Sequence, residues 1–150
     1  MDCTPSWTCA PYQIGARPKK GEQVAWGESN AVAFANTVLG ARTNRYGDFL
    51  DIACAVSGRA PYYGLHCDKN RNAEILLDVT DLPVKVKEED TFFPVLGSVI
   101  GRLAGDSVCA VSGINKIVSE DQLKALCAAA ASTGACLLYT SDAADDDHCV

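Results

Sequence analysis

AEILLDVTDLPVKVKEEDTFFPVLGSVIGRLAGDSVCAV, running from Ala73 to Val111, is the stretch that decides the fold. Its first seven residues, Ala73 to Val79, form a short apolar run of strand length, and Ser107 to Val111 form another. Between them Leu96 to Leu103 reads as a helix, with Gly97, Gly101 and Gly105 at four-residue spacing. That spacing gives one face without side chains and permits close packing against a neighbour, although each interior glycine costs about 1 kcal/mol relative to alanine. Further on, Ser119 can cap a helix while Gln122 reaches back to complete a capping box. Leu123, Leu126, Cys127, Ala130 and Ala131 then make one apolar stripe, which Gly134 ends. Strand, helix, strand and helix in alternation predict an α/β layered domain with parallel strands and packed helices.

Upstream, residues Met1 to Gly27 are rich in turn formers, including Pro5, Pro11, Gly15, Pro18 and Gly21, and read as loop with short extended pieces. From Ser29 the run SNAVAFANTVL predicts a helix. Ser29 and Asn30 are its candidate N-caps, Val32, Ala35, Val38 and Leu39 its apolar positions, and Gly40 lies just beyond it. A second helix starts after Asp48 as N-cap, continues through FLDIACAVS and stops at Gly58, ahead of Pro61. The polar turn ARTNRYG lies between the two.

Composition narrows the partners. A hydrophobic content of 48% suits a globular domain. No apolar run approaches the roughly 20 residues that span a bilayer, so no membrane partner is expected. The formal charge of -6 and the lack of a basic patch interleaved with aromatics argue against nucleic acid. A small-molecule ligand is the expectation. Eight cysteines with no secretory signal and no C-x-x-C pair read as reduced thiols of a cytoplasmic protein, with neither a disulfide framework nor the usual structural zinc signature. Cys54, Cys109 and Cys127 sit in apolar contexts and read as core. Cys67, beside His66 in a loop, leaves a ligating role open.

Several residues could carry chemistry. Cys9 stands in the proline-flanked loop TCAPY, where a thiolate is presentable, with Cys3 as a weaker companion. Glu28, Ser29 and Asn30 open a helix, where they either cap it or leave backbone N–H groups to hold an anionic carboxylate. Asn36 is a polar residue among Ala and Val and needs a partner there. In the turn, Arg45 could grip a carboxylate in bidentate fashion while Thr43 and Asn44 fix hydroxyl or amine groups; alternatively its charges are ordinary surface ones. His66, followed by Asn70 and Arg71, is a candidate acid, base or substrate anchor, or a structural histidine.

The strings TCAPYQ (Thr8 to Gln13), AWGESNAVAFANTVLGARTNRYGDF (Ala25 to Phe49) and GRAPYYGLH (Gly58 to His66) closely resemble the catalytic region of the aconitase X family, iron-sulfur hydro-lyases that remove water from small hydroxy acids. FPVLGSVIGRLAGD and DQLKALCAAAASTGA extend the resemblance to Ala135. It implies a partial aconitase-like catalytic domain over residues 1–135 and an iron-sulfur cluster for which Cys9 is the first ligand. It also implies a substrate site drawing on Ser29, Asn30, Thr43, Asn44 and Arg45; on their own residue chemistry Asn36 joins these as a substrate-binding candidate and His66 as the catalytic one. Further cluster ligands, a swivelling domain with a catalytic serine, or a separate subunit are implied outside this stretch. RYGDF is similar to the branch that dehydrates cis-3-hydroxy-L-proline, whereas mevalonate 5-phosphate dehydratases more often read REGG. A non-enzymatic α/β module whose cysteines bind zinc or nothing is the alternative of another class.

From Cys136 the chain reads CLLYTSDAADD, which looks like the translation of a transposon-end sequencing adapter. Residues 136–150 are therefore expected to be a non-native tail without a packed role.

Overall fold

The computed structural model describes residues 5–47, 49–114 and 118–140. Among these residues five α-helices and three strands follow, besides short 3-10 turns, in the order α1 (Ser29–Thr37), α2 (Leu50–Ser57), β1 (Ile75–Asp78), α3 (Val84–Lys87), α4 (Phe92–Ala104), β2 (Cys109–Ser112), α5 (Glu120–Ser132) and β3 (Leu138–Thr140). The strands form one parallel sheet in the order β1-β2-β3, with Ile75 opposite Cys109 and Cys109 opposite Leu138. Parallel neighbours need crossover connections, and α4 and α5 supply them. The α/β class and the parallel pairing expected from the sequence are both present.

The core lies between sheet and helices. Phe93, Leu96 and Ile100 of α4 and Leu126, Cys127, Ala130 and Ala131 of α5 close over Cys109, Val111 and Leu138. Helices α4 and α5 meet where the glycines are. A methyl group on Gly97 would strike the Leu126 carbonyl oxygen and Ala129, and one on Gly101 would overlap Thr133 Oγ1 and the Ala130 carbonyl. Gly105 does not join this contact; it closes α4 with φ of +56° and faces open space. Ser119 caps α5 through both arms of the capping box, its hydroxyl accepting from Gln122 N at 3.1 Å and its own N–H donating to Gln122 Oε1 at 2.9 Å.

Lys87, an unforeseen element of the core, sits at the end of the short helix α3. Its buried ammonium donates to the carbonyls of Val79 at 3.5 Å, Thr80 at 3.2 Å and Gly113 at 2.9 Å, fastening the ends of β1 and β2 together. Where the sequence predicts Ser29 or Asn30 as the α1 cap, the cap is Glu28, whose carboxylate accepts from Asn30 N at 3.3 Å. A carboxylate at a helix start also complements the helix dipole. Helix α2 ends at Gly58 as predicted, in the left-handed conformation that glycine tolerates; its expected cap, Asp48, lies outside the described residues. Cys54, Cys109 and Cys127 are buried as expected, and burial pushes the Cys127 thiol up to about 12. Packing extends past Ala135, contrary to the sequence expectation of an unpacked tail. Leu137 and Leu138 are buried, and β3 pairs with β2. No helix among the described residues is long and apolar enough to cross a membrane.

Candidate functional site

Helix α1 organises the candidate residues, and its two ends differ. At the amino end the loop carrying Cys9 turns through Pro11–Gln13 and packs back on the helix. Ala10 N donates to Thr8 Oγ1 at 3.0 Å, which shapes the loop and leaves the Cys9 thiol exposed. Tyr12 anchors this loop. Its ring stacks on Phe34 of α1 at 3.9 Å with planes 8° apart and lies 6.5 Å from Trp26. An ion pair between Arg17 and Glu120 at 2.6 Å and a bond from Lys124 Nζ to Gln13 Oε1 at 3.1 Å tie the same loop to α5.

The polar atoms here face each other. The Tyr12 hydroxyl and the Asn30 Oδ1 are both buried, and the Asn30 side chain lies against the hydroxyl. Burial pushes the Tyr12 phenol up to about 12, the Asn30 amide partly opposing that and the neighbouring Cys127 and Cys9 thiols and Glu120 carboxylate adding to it. Cys9, Tyr12 and the helix start at Ser29 and Asn30 are therefore one neighbourhood. The first-turn N–H groups of a helix are anion-binding donors.

The carboxyl end of α1 is filled by protein. Asn36 is 1% exposed, and its side chain uses its whole capacity. Its Nδ2 donates to the carbonyls of Thr43 at 2.9 Å and Cys136 at 3.1 Å, while its Oδ1 accepts from Thr43 N at 3.1 Å and Arg71 Nη1 at 3.0 Å. Arg71 also donates to the Leu65 carbonyl at 3.0 Å and, through Nη2, to the Asn36 carbonyl at 3.2 Å. Burial lowers the Arg71 guanidinium from its ordinary value, with Tyr139 opposing the shift and Arg42 adding to it. A cavity of about 180 Å³ opens beside this cluster, lined in part by Lys20, Arg42 and Arg71; Arg42 is paired with Asp68 at 2.5 Å.

The turn residues belong to this second end. Thr43 is completely buried and donates through Oγ1 to the Asn44 carbonyl at 3.3 Å. Asn44 staples the next loop by donating to the Tyr63 carbonyl at 3.0 Å and accepting from Leu65 N at 2.7 Å. Gly64 passes directly over Asn44 with φ of +57°, and any side chain there would strike Asn44 Oδ1. Arg45 is exposed and lies beside the Cys136 thiol, whose pKa burial raises and the arginine's charge partly restores. Thr43 is held at Asn36, two turns along the helix from Ser29 and about 10 Å away in rise. The turn and the helix start therefore do not form one carboxylate cradle.

His66 also takes a different post from the catalytic one expected. It is 3% exposed, its Nδ1 is 2.6 Å from Gln23 Oε1, and its Nε2 is in short contact with the Tyr46 hydroxyl. An amide oxygen only accepts, so Nδ1 carries the proton and Nε2 accepts from Tyr46. Burial, with the charge of Arg71, holds the imidazole below its usual value and therefore neutral. Both nitrogens have protein partners. Cys67 is buried beside it, and Cys3 lies outside the described residues.

Tyr12, Gln23 and Tyr46 escape sequence reasoning because their importance lies in contacts with residues far away along the chain. The only local signal is the placement of Tyr12 three residues after Cys9 in a proline-flanked loop.

Two family models match the chain: the aconitase X first domain over residues 1–69 and the aconitase X second domain over residues 73–145. Their boundary falls just before β1, inside the stretch read from sequence as one unit. A cis-3-hydroxy-L-proline dehydratase of Hypocrea jecorina is 47% identical over 140 residues, covering 93% of this chain and 23% of that protein. A Pseudomonas aeruginosa protein of the same name is 48% identical over 130 residues, covering 86% and 22%. The phosphomevalonate dehydratase large subunit of Methanothermobacter thermautotrophicus is 41% identical over 148 residues, covering 99% and 36%. The crystal structure of Thermococcus kodakaraensis aconitase X in its holo-form superposes with a TM-score of 0.82 at 39% identity, covering 91% of this chain and 34% of that one. The chain thus spans between 22% and 36% of the length of these relatives.

Proposed function

The chain belongs to the aconitase X family, and from that premise we propose that it furnishes one wall of the active site of a hydro-lyase that dehydrates a small hydroxylated acid, cis-3-hydroxy-L-proline in the first instance. One observation carries this reading. At the start of α1 the exposed Cys9 thiol lies in the same neighbourhood as Tyr12 and Asn30, while the other polar candidates are consumed by the scaffold. Ser29 and Asn30 then hold the substrate through their side chains at the helix start, the Asn30 N–H itself being taken by Glu28. Asn36, Thr43 and Asn44 keep the scaffold in shape, and Arg45 stands at the far end as an accessory charge. The preference for the imino acid follows the somewhat higher identity of the relatives named for it, 47% and 48%, against 38% to 44% for the phosphomevalonate dehydratase large subunits.

An iron-sulfur cluster is part of the proposal. Cys9, exposed in its loop, fits as one thiolate ligand. Among the described residues no group of three or more His, Cys, Asp or Glu side chains comes together to hold a metal; Cys9 is one anchor, and the remaining domains or a partner subunit supply others. When bound, such a cluster supplies a Lewis acid for the departing hydroxyl. We place the whole protein in the cytoplasm, where its thiols stay reduced.

The test uses the full-length enzyme containing this segment, reconstituted anaerobically with iron and sulfide and assayed on cis-3-hydroxy-L-proline and mevalonate 5-phosphate. Cys9→Ser is expected to lose bound iron and turnover together, because a hydroxyl replaces the thiolate. Normal iron content and normal turnover in that variant would overturn the assignment of Cys9.

A further inference from the structure

We propose that the cavity at the carboxyl end of α1 is a second binding site, separate from the wall at Cys9, and that it takes a phosphate dianion, free or carried by a small molecule. The inference stands apart from the dehydratase reading. It rests on space, charge and position at the other end of the helix.

The space is present. A cavity of about 180 Å³ opens against Thr37, the last residue of α1, and against Val38, Leu39 and Gly40 just beyond it. A helix of nine residues is about 13 Å long. The cavity and the Cys9 loop are therefore held at opposite ends of one rod.

The charge is one-sided. Lys20, Arg42 and Arg71 line the cavity, and among the described residues that line it Asp68 is the only carboxylate. The chain as a whole carries a formal charge of -6, so this concave positive spot runs against the overall sign of the protein. Two positive charges stay in excess, which matches a dianion better than a monocarboxylate.

Each cation is placed by the fold. Arg71 is buried, and its guanidinium donates to neutral oxygens, at 3.0 Å to Asn36 Oδ1 and the Leu65 carbonyl and at 3.2 Å to the Asn36 carbonyl. A buried cation is ordinarily matched by an anion, and a phosphate in the cavity would supply that match through its field alone. Arg42 is engaged by Asp68 at 2.5 Å, but the Asp68 side chain is 77% exposed, and an ion pair open to water is weak enough to exchange. Lys20 crosses the end of α1 at Gly40, where a Cβ would stand only 3.1 Å from Lys20 Cγ. The bond from Gly21 N to the Gly40 carbonyl at 2.8 Å fixes that crossing. Cations at the carboxyl end of a helix also complement its dipole. That role needs charge but no open space beside it.

Calorimetric titration of the full-length enzyme with inorganic phosphate tests this, in mildly alkaline buffer of constant ionic strength. Phosphate is expected to bind, and acetate to bind about tenfold more weakly or not at all. Glycerol phosphate separates the two sources, binding more tightly than the free ion if the site reads a phosphate ester and equally if it reads phosphate alone. Arg42→Gln should weaken phosphate binding about tenfold without lowering the melting temperature. Asp68→Asn removes the competitor for Arg42 and should tighten binding several-fold, a gain that a dipole partner or a scaffold pair does not give. Asn30→Ala, at the other end of α1, should leave the affinity unchanged. Absence of binding, equal affinity for phosphate and acetate, or no gain in Asp68→Asn would overturn the proposal. A loss in Asn30→Ala as large as in Arg42→Gln would move the ion to the helix start and overturn the second site equally. If Arg42→Gln melts lower, Asp68→Asn decides alone, because its exposed carboxylate can be neutralised without disturbing the fold.

Discussion

The two ends of α1 carry similar polar residues and treat them in opposite ways. At the carboxyl end Asn36, Thr43 and Arg71 exhaust one another, and the Asn36 amide bridges three segments of chain. At the amino end Asn30, on the same helix, has only the Tyr12 hydroxyl facing its side chain, and its amide ties no further segment of chain. The difference separates two uses of a buried amide. A heavily bonded one fixes segments relative to each other, and a sparsely bonded one ties little together.

The sharpest way to break the comparison is to remove both amides and measure stability. Asn36→Ala leaves the buried Thr43 N–H and carbonyl without this partner and takes one of three bonds from the Arg71 guanidinium, which keeps the Leu65 and residue-36 carbonyls, and should cost roughly 2–3 kcal/mol, the scale for stranding buried polar groups. Asn30→Ala should cost less, about 1 kcal/mol, since only the Tyr12 hydroxyl loses a partner. Urea unfolding of both variants checks this, and equal losses would erase the distinction between the ends.

A smaller effect is expected where α4 meets α5. Gly101→Ala adds a methyl where Thr133 and the Ala130 carbonyl already stand. It should destabilise by roughly 1–3 kcal/mol despite alanine's better helix propensity. Gly105→Ala meets open space, so any cost there comes from its positive φ alone. Thermal melts of the pair would tell steric packing from backbone conformation.

The smallest effect is one of pH. His66 titrates below the ordinary 6.5 because burial disfavours its charge. The unfolded chain therefore binds the proton first, and the stability from the neutral, doubly bonded imidazole is complete above about pH 6.5 and drains away as pH falls toward the folded value. Denaturation midpoints at pH 7.5 and 5 should differ in that direction, and His66→Gln should flatten the difference. A slope unaffected by the substitution would mean that other groups carry it.

What the sequence revealed follows from the range of each interaction. The capping box of Ser119 and Gln122 and the stop at Gly58 are settled within a few residues, so they could be read directly. The glycine face of α4 was legible because its spacing is periodic, although Gly105 proved to end the helix instead of packing. The cap of α1 was placed one residue late because Glu28, a less usual capping residue, does the work. Asn36 and His66 were legible only as polar residues in need of partners. The partners, Thr43 with Arg71 and Gln23 with Tyr46, are brought to them by the fold, and nothing local distinguishes a ligand-facing amide from a satisfied one.

The parallel sheet has a kinetic consequence as well. Ile75 meets Cys109, and Cys109 meets Leu138, only after a helix has been laid down between them, so no part of this sheet can begin as a hairpin. Every strand pairing is a long loop closure, and such topologies fold slowly for their size. Lys87 completes its three carbonyl bonds only when the ends of β1 and β2 are already in register. Its ammonium is thus a latch that closes late, with more influence on how slowly the domain opens than on how fast it assembles.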